Sequence, residues 1–402
     1  MELLQGIKVV ELAQWIAVPA AAAILSDWGA DVVKIEDPRG GDALRGYVET
    51  RDDYPKMGVN GPFELDNRNK RSVAIDLGHE LGREIVYRLV KDADIFLTSF
   101  RSKVLDRLHM DYESLSRVNP NLIYAELTGY GEAGPDKDQP GFDRSAYFAR
   151  SGMQDILREP GASPPCMRPA FGDHVASGFL VAAVLGALWH RQQSGVAQKV
   201  SLSLYHCGIW QLGTDIQVSL ISGKDIPKAT RKTVGNPLTN HYKTKDGRWI
   251  ALAMPPSDRY WPEFCKAVGR EDLELDSRYR NHQLRAENSA SLVSLLDEIF
   301  ATKTYAEWKE ALEQHGNVFG LVQTTSEVAA DPQAWANGMF TSIEHPAAGK
   351  IELITAPGRF SKTPSGPRRA APELGQHTEE VLLEIGYSWD DIVRLKEEQA
   401  TI

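Results

Sequence analysis

An aspartate at the start of an apolar segment offers a carboxylate that could do chemistry. Asp173 lies in the stretch FGDH, and an apolar run follows it as far as about residue 189. Aspartate is a common helix N-cap, because its carboxylate accepts hydrogen bonds from the free N–H groups of the first turn. The helix dipole also favours an ionised carboxylate at that end. The sequence therefore predicts that Asp173 caps a buried helix, acts as a nucleophile, or does both.

An ionised Asp173 would need no auxiliary base to attack an activated carbonyl. The aspartate carboxyl group has an unperturbed pKa of about 3.9, and we expect the helix start to keep Asp173 anionic at neutral pH. The oxyanion that forms needs N–H donors, for which Gly129, Gly131 and Gly172 are candidates. His174 follows directly, but neighbouring side chains at a helix start point in different directions. We expect His174 to pack beside the site and not to react.

Composition and charge exclude several classes of protein. The chain has 402 residues, 42% hydrophobic and 25% charged, with a net charge of -10. Nucleic acid needs a basic surface, and no uncharged apolar run is flanked as a membrane span would be. The three cysteines lack metal-ligand spacing, and the N-terminus has no signal pattern. We expect a cytoplasmic protein with no metal site, no nucleic-acid partner and no membrane partner.

Alternating strand and helix patterns predict an α/β fold. Strands are indicated at 7–12, 31–36, 94–100 and 122–130, with helical segments between them, as in the βαβ units of a parallel sheet. The turn after the first strand lacks G-x-G-x-x-G, which disfavours a nicotinamide cofactor. Alternation around Asp246-Gly247, followed by helical patterns, indicates a smaller α+β domain. The predicted division is a large domain over 1–210, a small domain over 225–325 and a C-terminal segment over 326–402.

Several stretches, taken in order, resemble one family over nearly the whole chain. They include VVELAQWIAVPAAAAILSDWGADVVKIEDPRGGDALRG, NRNKRSVAIDL, ADIFLTSFRSKVLDRL, LTGYGEAGP, PGFDRSAYFARSG and LGQHTEEVLLEIGYS. In this order and spacing they resemble the class III CoA-transferases, the family of formyl-CoA transferase and carnitine CoA-transferase. The resemblance implies a Rossmann-like large domain with a parallel sheet, to which the C-terminal segment returns, and a small middle domain. It also implies two subunits interlocked as a homodimer.

The resemblance further implies a reaction, the reversible transfer of CoA from an acyl-CoA to a carboxylic acid. In that mechanism Asp173 attacks the acyl-CoA carbonyl to give a mixed anhydride, which the CoA thiolate converts to an aspartyl-CoA thioester. The acceptor acid then reverses these steps. Coenzyme A and acyl-CoA are substrates in this scheme, and no cofactor is tightly bound. The expected partners are small molecules and a second copy of the chain.

Other site residues follow from the same resemblance. Glu132, Phe142 and Ile16 are candidates for contact with the acyl group. Asp37 stands where formyl-CoA transferase has an arginine, with Arg39 two residues on. Guanidinium groups suit the phosphates of CoA, because they bind such anions bidentately. The residues implied for CoA binding are Trp15, Ile16, Ala17, Arg39, Arg71, Ser99, Phe100, Lys103, Arg107, Leu108 and Tyr130.

Two other functions stay open within the same family. The branch of 2-methylacyl-CoA racemases uses a histidine in a Gly-His-Asp triplet, where this chain has Gly141-Phe142-Asp143. A phenyl ring cannot exchange protons, so the sequence disfavours racemisation. A non-catalytic subunit of a heteromeric transferase would have lost the nucleophile, whereas Asp173 is present.

Overall fold

Two compact units make up the chain. The computed structural model describes residues 2–47 and 54–402. The first unit comprises the residues up to Asp155 together with Cys166–Leu220 and Pro332–Ile402, and the second comprises Ile156–Pro165 and Ile221–Asp331. Both chain ends therefore contribute to the first unit. The segment Ile156–Pro165, which lies within the large domain of the sequence-based division, belongs to the second unit.

The strands form one large sheet, a small sheet and a hairpin. In chain order they are β1 (Lys8–Leu12), β2 (Asp31–Glu36), β3 (Arg71–Ala74), β4 (Ile95–Thr98), β5 (Ile123–Thr128), β6 (Lys199–Ser203), β7 (His241–Lys243), β8 (Trp249–Leu252), β9 (Phe319–Leu321), β10 (Phe340–His345) and β11 (Gly349–Ile354).

The large sheet is parallel and has the order β3-β2-β1-β4-β5-β6 in the described residues. Successive side chains point to opposite faces, so Val9 joins the core cluster on one face and Val10 the cluster on the other. Burial on both faces explains why the strands are rich in apolar residues, and the buried charges Glu11 of β1 and Lys34 of β2 pair with each other. The strand order reverses between β1 and β4, and such a switch point leaves a crevice at the carboxyl ends of the strands. The predicted α/β class is confirmed.

The helices surround these sheets. They are α1 (Ala17–Asp27), α2 (Leu44–Tyr47), α3 (Gly61–Asn67), α4 (Glu80–Lys91), α5 (Ser102–Leu108), α6 (Tyr112–Val118), α7 (Met153–Leu157), α8 (Phe171–Ser194), α9 (Leu204–Gln211), α10 (Gly213–Ser222), α11 (Ser257–Ala267), α12 (Asp272–Leu275), α13 (His282–Glu287), α14 (Ser289–Phe300), α15 (Tyr305–Gln314), α16 (Thr325–Ala329), α17 (Pro332–Ala336), α18 (Thr378–Glu384) and α19 (Trp389–Glu397), together with a π-helix over Asp143–Ala149.

Helix α8 carries Asp173. It packs against α1, and Ala176, Leu180 and Val184 on its inner face join a core cluster of the large sheet. It is also the one helix in the described ranges that is long and apolar enough to cross a membrane by length and composition. Core helices pass the same test, and the inner face of α8 is packed as a core helix is.

The second unit combines an antiparallel sheet with helices. Its strands have the order β7-β8-β9, and helices α11 to α15 supply a core that contains Trp261, Phe264 and Phe300. Gly247 has a φ of 78° in the turn between β7 and β8. This left-handed conformation favours glycine, which explains the Asp246-Gly247 turn signal in the sequence.

Candidate active site

The carboxyl ends of β1 and β4 and the start of α8 enclose a cavity of about 190 Å³, named here the Asp173 cavity. The loop after β1 contributes Trp15, Ile16 and Ala17 to its wall. Asp173 from α8 and Phe142, just before the π-helix, complete this part of the wall. These five residues, each predicted for the site from the sequence, therefore meet around one small space.

Asp173 is the third residue of α8, and the N-cap is Ala170, which has a φ of 77° and makes no side-chain capping bond. Of the alternatives predicted for Asp173, the N-cap is therefore wrong, and the nucleophile stays a prediction. Close packing fixes its position, because a Cβ atom added to Gly172 would lie only 2.5 Å from Cγ of Tyr147. Glycine at 172 thus lets α8 approach the π-helix and hold Asp173 at the cavity wall.

The Asp173 carboxyl group is half-buried, and no group in residues 2–47 and 54–402 donates a hydrogen bond to it. Its pKa is raised from 3.8 to about 7, first by burial and then by the charges of Asp143 and Asp66, against the opposing charge of His174. The expectation that the helix start keeps Asp173 fully ionised is wrong. The helix dipole is worth about 0.3–1 kcal/mol, which desolvation and like charges outweigh here.

Asp143 supports the start of α8 from the π-helix. Its side chain is buried, and burial raises its pKa, while the backbone N–H groups of Arg144, Ala170 and Gly172 oppose that rise by hydrogen bonding. Two of these N–H groups belong to the beginning of α8. Asp143 therefore lies close to the N–H groups at which α8 begins.

Replacing Asp173 by asparagine is expected to stabilise the fold at alkaline pH. Because its pKa in the folded chain is about 7 rather than 3.8, the folded chain binds more protons than the unfolded chain between these values. Stability therefore falls as pH rises through that range. We expect Asp173→Asn to gain about 1–3 kcal/mol in free energy of unfolding near pH 8 and nothing near pH 4. Urea unfolding of the wild type and Asp173→Asn measures the free energy of unfolding at each pH. The same difference between the two proteins at pH 8 and at pH 4 would contradict the raised pKa.

His174 bonds to Asp66 of α3, with 3.1 Å between Nε2 and Oδ1. Burial lowers the pKa of His174, but the hydrogen bond and charge of Asp66 outweigh that effect and raise it above 6.5. The ring is therefore held by Asp66 and favours the charged form beside Asp173. His174 is thus held beside the site by Asp66, and its lack of a direct part in the reaction stays a prediction.

A larger cavity of about 580 Å³, named here the arginine cavity, lies at the carboxyl ends of β1, β2 and β3. Its wall combines apolar side chains with the guanidinium groups of Arg39, Arg83 and Arg107. Arg39 also bonds to Asp37 at 2.6 Å and is largely exposed. Guanidinium groups around apolar walls suit a ligand that carries both phosphates and a flat ring.

Most residues implied for CoA binding line these two cavities. Trp15, Ile16 and Ala17 are joined in the Asp173 cavity by Ser99, whose Oγ accepts a hydrogen bond from the backbone N–H of Gln14 at 3.3 Å. The arginine cavity contains Arg39, Phe100, Arg107 and Leu108.

Arg71 lies away from both cavities. It is the first residue of β3, so it lies at the amino ends of the parallel strands, whereas the two cavities lie at their carboxyl ends. Its guanidinium group contacts Asp31 at 2.6 Å, Glu380 at 3.2 Å and Glu384 at 2.7 Å. These three carboxylates occupy its donors, and this placement removes Arg71 from the candidates for CoA binding.

Three other candidates do not line either cavity in the described part of the chain. Lys103 pairs with Asp138 at 2.9 Å on the surface. Tyr130 packs against the core cluster that contains α8. Glu132 bonds to Lys199 of β6. The acyl-site candidate Glu132 is therefore directed to a lysine and not to Asp173.

Two cations in the wall of the Asp173 cavity, Arg101 and Lys137, were not predicted from the sequence. Arg101 precedes α5, and Lys137 lies in the loop between β5 and the π-helix. Loop cations carry no periodic signal. The available signal was position alone, since Arg101 directly follows the strand-end residues Ser99 and Phe100. Both residues bring positive charge to a cavity that contains a carboxylate.

Comparison with known proteins decides the family. A family model described as CoA-transferase family III matches residues 4–378. The chain belongs to CoA-transferase family III. This family III enzyme is 36% identical over 397 residues to cinnamoyl-CoA:phenyllactate CoA-transferase of Clostridium sporogenes, covering 98% of this chain and 96% of the relative. It is 38% identical over 395 residues to (R)-2-hydroxy-4-methylpentanoate CoA-transferase of Clostridioides difficile, covering 98% of each.

The fold of this family III enzyme matches a solved structure as well. The crystal structure of a CAIB/BAIF family protein from Brucella suis has a TM-score of 0.84 at 30% identity, covering 96% of this chain and 100% of that chain. The resemblance read from the sequence is confirmed at the level of family and α/β fold.

Proposed function

We propose that this enzyme transfers CoA from an acyl-CoA to a carboxylic acid through a covalent intermediate on Asp173. The observation that carries the proposal is the Asp173 carboxylate, which lies in a cavity at the ends of parallel strands and accepts no hydrogen bond among the described residues. A carboxylate that only capped the helix would accept hydrogen bonds from its N–H groups, whereas the N-cap of α8 is Ala170 and Asp173 accepts no such bond in the described residues.

The first half of the reaction loads CoA onto the enzyme. An oxygen of Asp173 attacks the thioester carbonyl, the C–S bond breaks, and the CoA thiolate leaves a mixed anhydride behind. The thiolate then attacks the Asp173 carbonyl, which releases the donor acid and gives an aspartyl-CoA thioester. The donor acid departs with one oxygen of Asp173.

The second half reverses these steps with the acceptor acid. Its carboxylate attacks the aspartyl thioester, forms a second mixed anhydride and releases the thiolate. The thiolate attacks the acceptor carbonyl, so that the new acyl-CoA forms and Asp173 is restored with one oxygen from the acceptor. Once Asp173 is ionised, no proton has to move in any of these steps, so its carboxylate needs no separate base.

Backbone glycine in the cavity wall is suited to stabilise the oxyanions. Among the candidates from sequence, the N–H of Gly131 donates to Thr128 Oγ1 at 2.9 Å, and that of Gly172 bonds to Asp143. Gly129 lines the Asp173 cavity and remains the candidate donor. A Cβ atom on it would lie 2.8 Å from Cα of Gly141, so only glycine fits there.

The two cavities suggest how CoA lies. Gln14 lines both of them. With the thioester beside Asp173, the pantetheine would pass along the carboxyl ends of β1 and β4, and the nucleotide would occupy the arginine cavity. Arg39, Arg83 and Arg107 then supply charge for its phosphates. In this proposal CoA and acyl-CoA are substrates, and the enzyme has no tightly bound cofactor.

We propose 2-hydroxy acids with apolar side chains as acceptors. The names of two relatives specify phenyllactate and (R)-2-hydroxy-4-methylpentanoate, which carry an aryl and a branched alkyl group. Trp15, Ile16 and Phe142 give the Asp173 cavity an apolar wall that suits such groups.

A phenyl ring at 142 also gives no support to the racemase alternative, because it cannot exchange a proton.

We also propose that the enzyme is a cytoplasmic homodimer. Several large apolar side chains are exposed on consecutive helices, including Phe171 and Trp189 of α8, Trp210 of α9 and Leu220 of α10. Apolar surface of this kind typically marks an interface, and a second interlocked copy would cover it. Light scattering of the purified chain should give the mass of two copies, whereas a subunit of a heteromer would need another polypeptide for activity.

Isotopic water tests transfer directly. Acyl-CoA and phenyllactate are incubated with the purified chain in ¹⁸O-labelled water. We expect phenyllactyl-CoA to form and the released donor acid to contain no solvent oxygen, because its new oxygen comes from Asp173. Solvent label in the donor acid without formation of a new acyl-CoA would identify a hydrolase and contradict the proposal.

A further inference from the structure

We propose that Trp15 sets the upper size of the acyl group that this enzyme accepts. Its indole stands between the Asp173 cavity and a second cavity, and a buried network of charges holds it there. This inference rests on the proposed function, in which the acyl group binds beside Asp173.

The second cavity has a volume of about 430 Å³ and is named here the apolar cavity. Its wall includes Leu44, Tyr47, Met57 and Val59, and Ile16 lines both this cavity and the Asp173 cavity. Two spaces that share a wall residue are separated by little more than one side chain. The larger space is thus next to the reaction centre but is not part of it.

The indole of Trp15 lines the Asp173 cavity and packs between one aromatic residue of each cavity wall, Tyr47 and Phe142. Its ring centroid lies 5.5 Å from that of Tyr47, with the planes at 83°, and 5.8 Å from that of Phe142, with the planes at 88°. Tyr47 lines the apolar cavity, and Phe142 lines the Asp173 cavity. Edge-to-face contacts on both sides are favourable arrangements for aromatic rings and keep the indole in place.

The backbone of Trp15 is held in an unfavourable conformation. Its φ is 71°, in the left-handed region that a residue with a Cβ atom adopts at a cost in energy. The N–H of Trp15 donates to Asp42 Oδ1 at 3.0 Å, which ties this conformation to a buried carboxylate. A strained residue persists only where its surroundings enforce it, so the position of the indole is determined by more than its own packing.

The carboxylate of Asp42 belongs to a buried charge network. Lys34 Nζ lies 2.8 Å from Asp42 Oδ2 and 2.8 Å from Glu11 Oε1, and Lys70 Nζ lies 2.7 Å from Glu11 Oε2. Two carboxylates and two ammonium groups balance, and all four side chains are at most 1% exposed. Lys34 also donates to the carbonyl of Ala13 at 3.0 Å, and Lys70 donates to the carbonyl of Pro19 at 2.9 Å, so the network holds the chain before and after the loop that carries Trp15.

The volumes of the two cavities indicate which acyl groups the wall at Trp15 excludes. A cavity of about 150 Å³ holds one benzene molecule, so the Asp173 cavity of about 190 Å³ suits an acyl group with a single ring. Opening the wall would add the apolar cavity. In the described residues, the wall of that cavity contains Glu64, Asp66 and Glu352 but no lysine or arginine. The added space therefore favours an uncharged, apolar extension over a second carboxylate.

A matched pair of acceptor acids tests this inference. 3-Phenyllactate and 3-(4-biphenylyl)lactate differ by one ring, and the ratio of their kcat/KM values cancels any general loss of folded enzyme. We expect Trp15→Gly, which suits the left-handed backbone, to raise the ratio of biphenylyl to phenyl acid by about tenfold or more. Trp15→Phe, which keeps a ring in the wall, should give a smaller rise.

The outcomes separate the inference from the function on which it rests. An unchanged or lower ratio in active Trp15→Gly would overturn the role of Trp15 alone. Failure of the wild type to transfer CoA to any acid would instead contradict the proposed function. If Trp15→Gly folds poorly or turns over slowly, the same selectivity can be measured from binding alone. Calorimetry then compares the affinities of the CoA thioesters of 3-phenyllactate and 3-(4-biphenylyl)lactate for Trp15→Gly and Trp15→Leu, each made in an Asp173→Asn background. Equal affinity ratios in variant and parent would then overturn the inference.

Discussion

Asp173→Asn is expected to lower kcat for CoA transfer by about 10³-fold or more. The amide has nearly the same size as the carboxylate, but it is a far weaker nucleophile and cannot form the anhydride. Because the half-buried Asp173 carboxyl group has a pKa of about 7, its removal should leave the fold as stable or more stable at neutral pH. Loss of activity would therefore reflect loss of the nucleophile and not unfolding. Steady-state rates with acyl-CoA and phenyllactate measure it.

The same substitution at a surface carboxylate provides the control. Asp272 begins α12 in the second unit, is exposed, and bonds to Arg270 at 2.8 Å. Asp272→Asn should leave kcat unchanged. Near-normal turnover by Asp173→Asn would mean that Asp173 is not the nucleophile.

Lys34→Met is expected to destabilise the fold by about 3–5 kcal/mol, the usual result of removing one partner from a buried ion pair. Lys34 contacts Glu11 and Asp42 at 2.8 Å each, and all three side chains are 0% exposed. Methionine would leave two buried carboxylates with Lys70 as their remaining lysine partner in the network. Burial of such charge without compensation is costly, and Asp42 would lose the charge that fixes its contact with Trp15. Urea unfolding near pH 7 measures the change.

An exposed lysine gives the matched comparison. Lys396 of α19 pairs with Glu379 at 2.6 Å, and both side chains are more than a third exposed, at 39% and 48%. Lys396→Met should change the free energy of unfolding by less than about 1 kcal/mol. If Lys34→Met costs no more than Lys396→Met, the buried network does not hold the loop in the manner described.

The strands and the general location of the site could be read from the sequence because both depend on local pattern. Buried parallel strands are short segments rich in apolar residues, and β1 and β2 lie at the predicted positions. The topology then brings the residues after β1 and β4 to one crevice, which is why Trp15, Ile16, Ser99 and Phe100 line the cavities.

Features that depend on distant parts of the chain could not be read in this way. The raised pKa of Asp173 comes first from burial and then from the charges of Asp143 and Asp66, which the fold brings near it. Arg71 has the right residue type for phosphate, but its partners Glu380 and Glu384 come from the far end of the chain. Charge pairing over such separations leaves no local signal in the sequence.

Trapping the covalent intermediate tests the central claim most directly. The wild-type enzyme is incubated with acyl-CoA and no acceptor, treated with hydroxylamine, digested and analysed by mass spectrometry, with Asp173→Asn as the parallel sample. We expect a hydroxamate on Asp173 in the peptide that contains FGDH, dependent on acyl-CoA and absent from Asp173→Asn. A hydroxamate on Glu132 or Asp143 instead, or an unmodified Asp173 in enzyme that transfers CoA at its full rate, would contradict the assignment of Asp173 as the nucleophile.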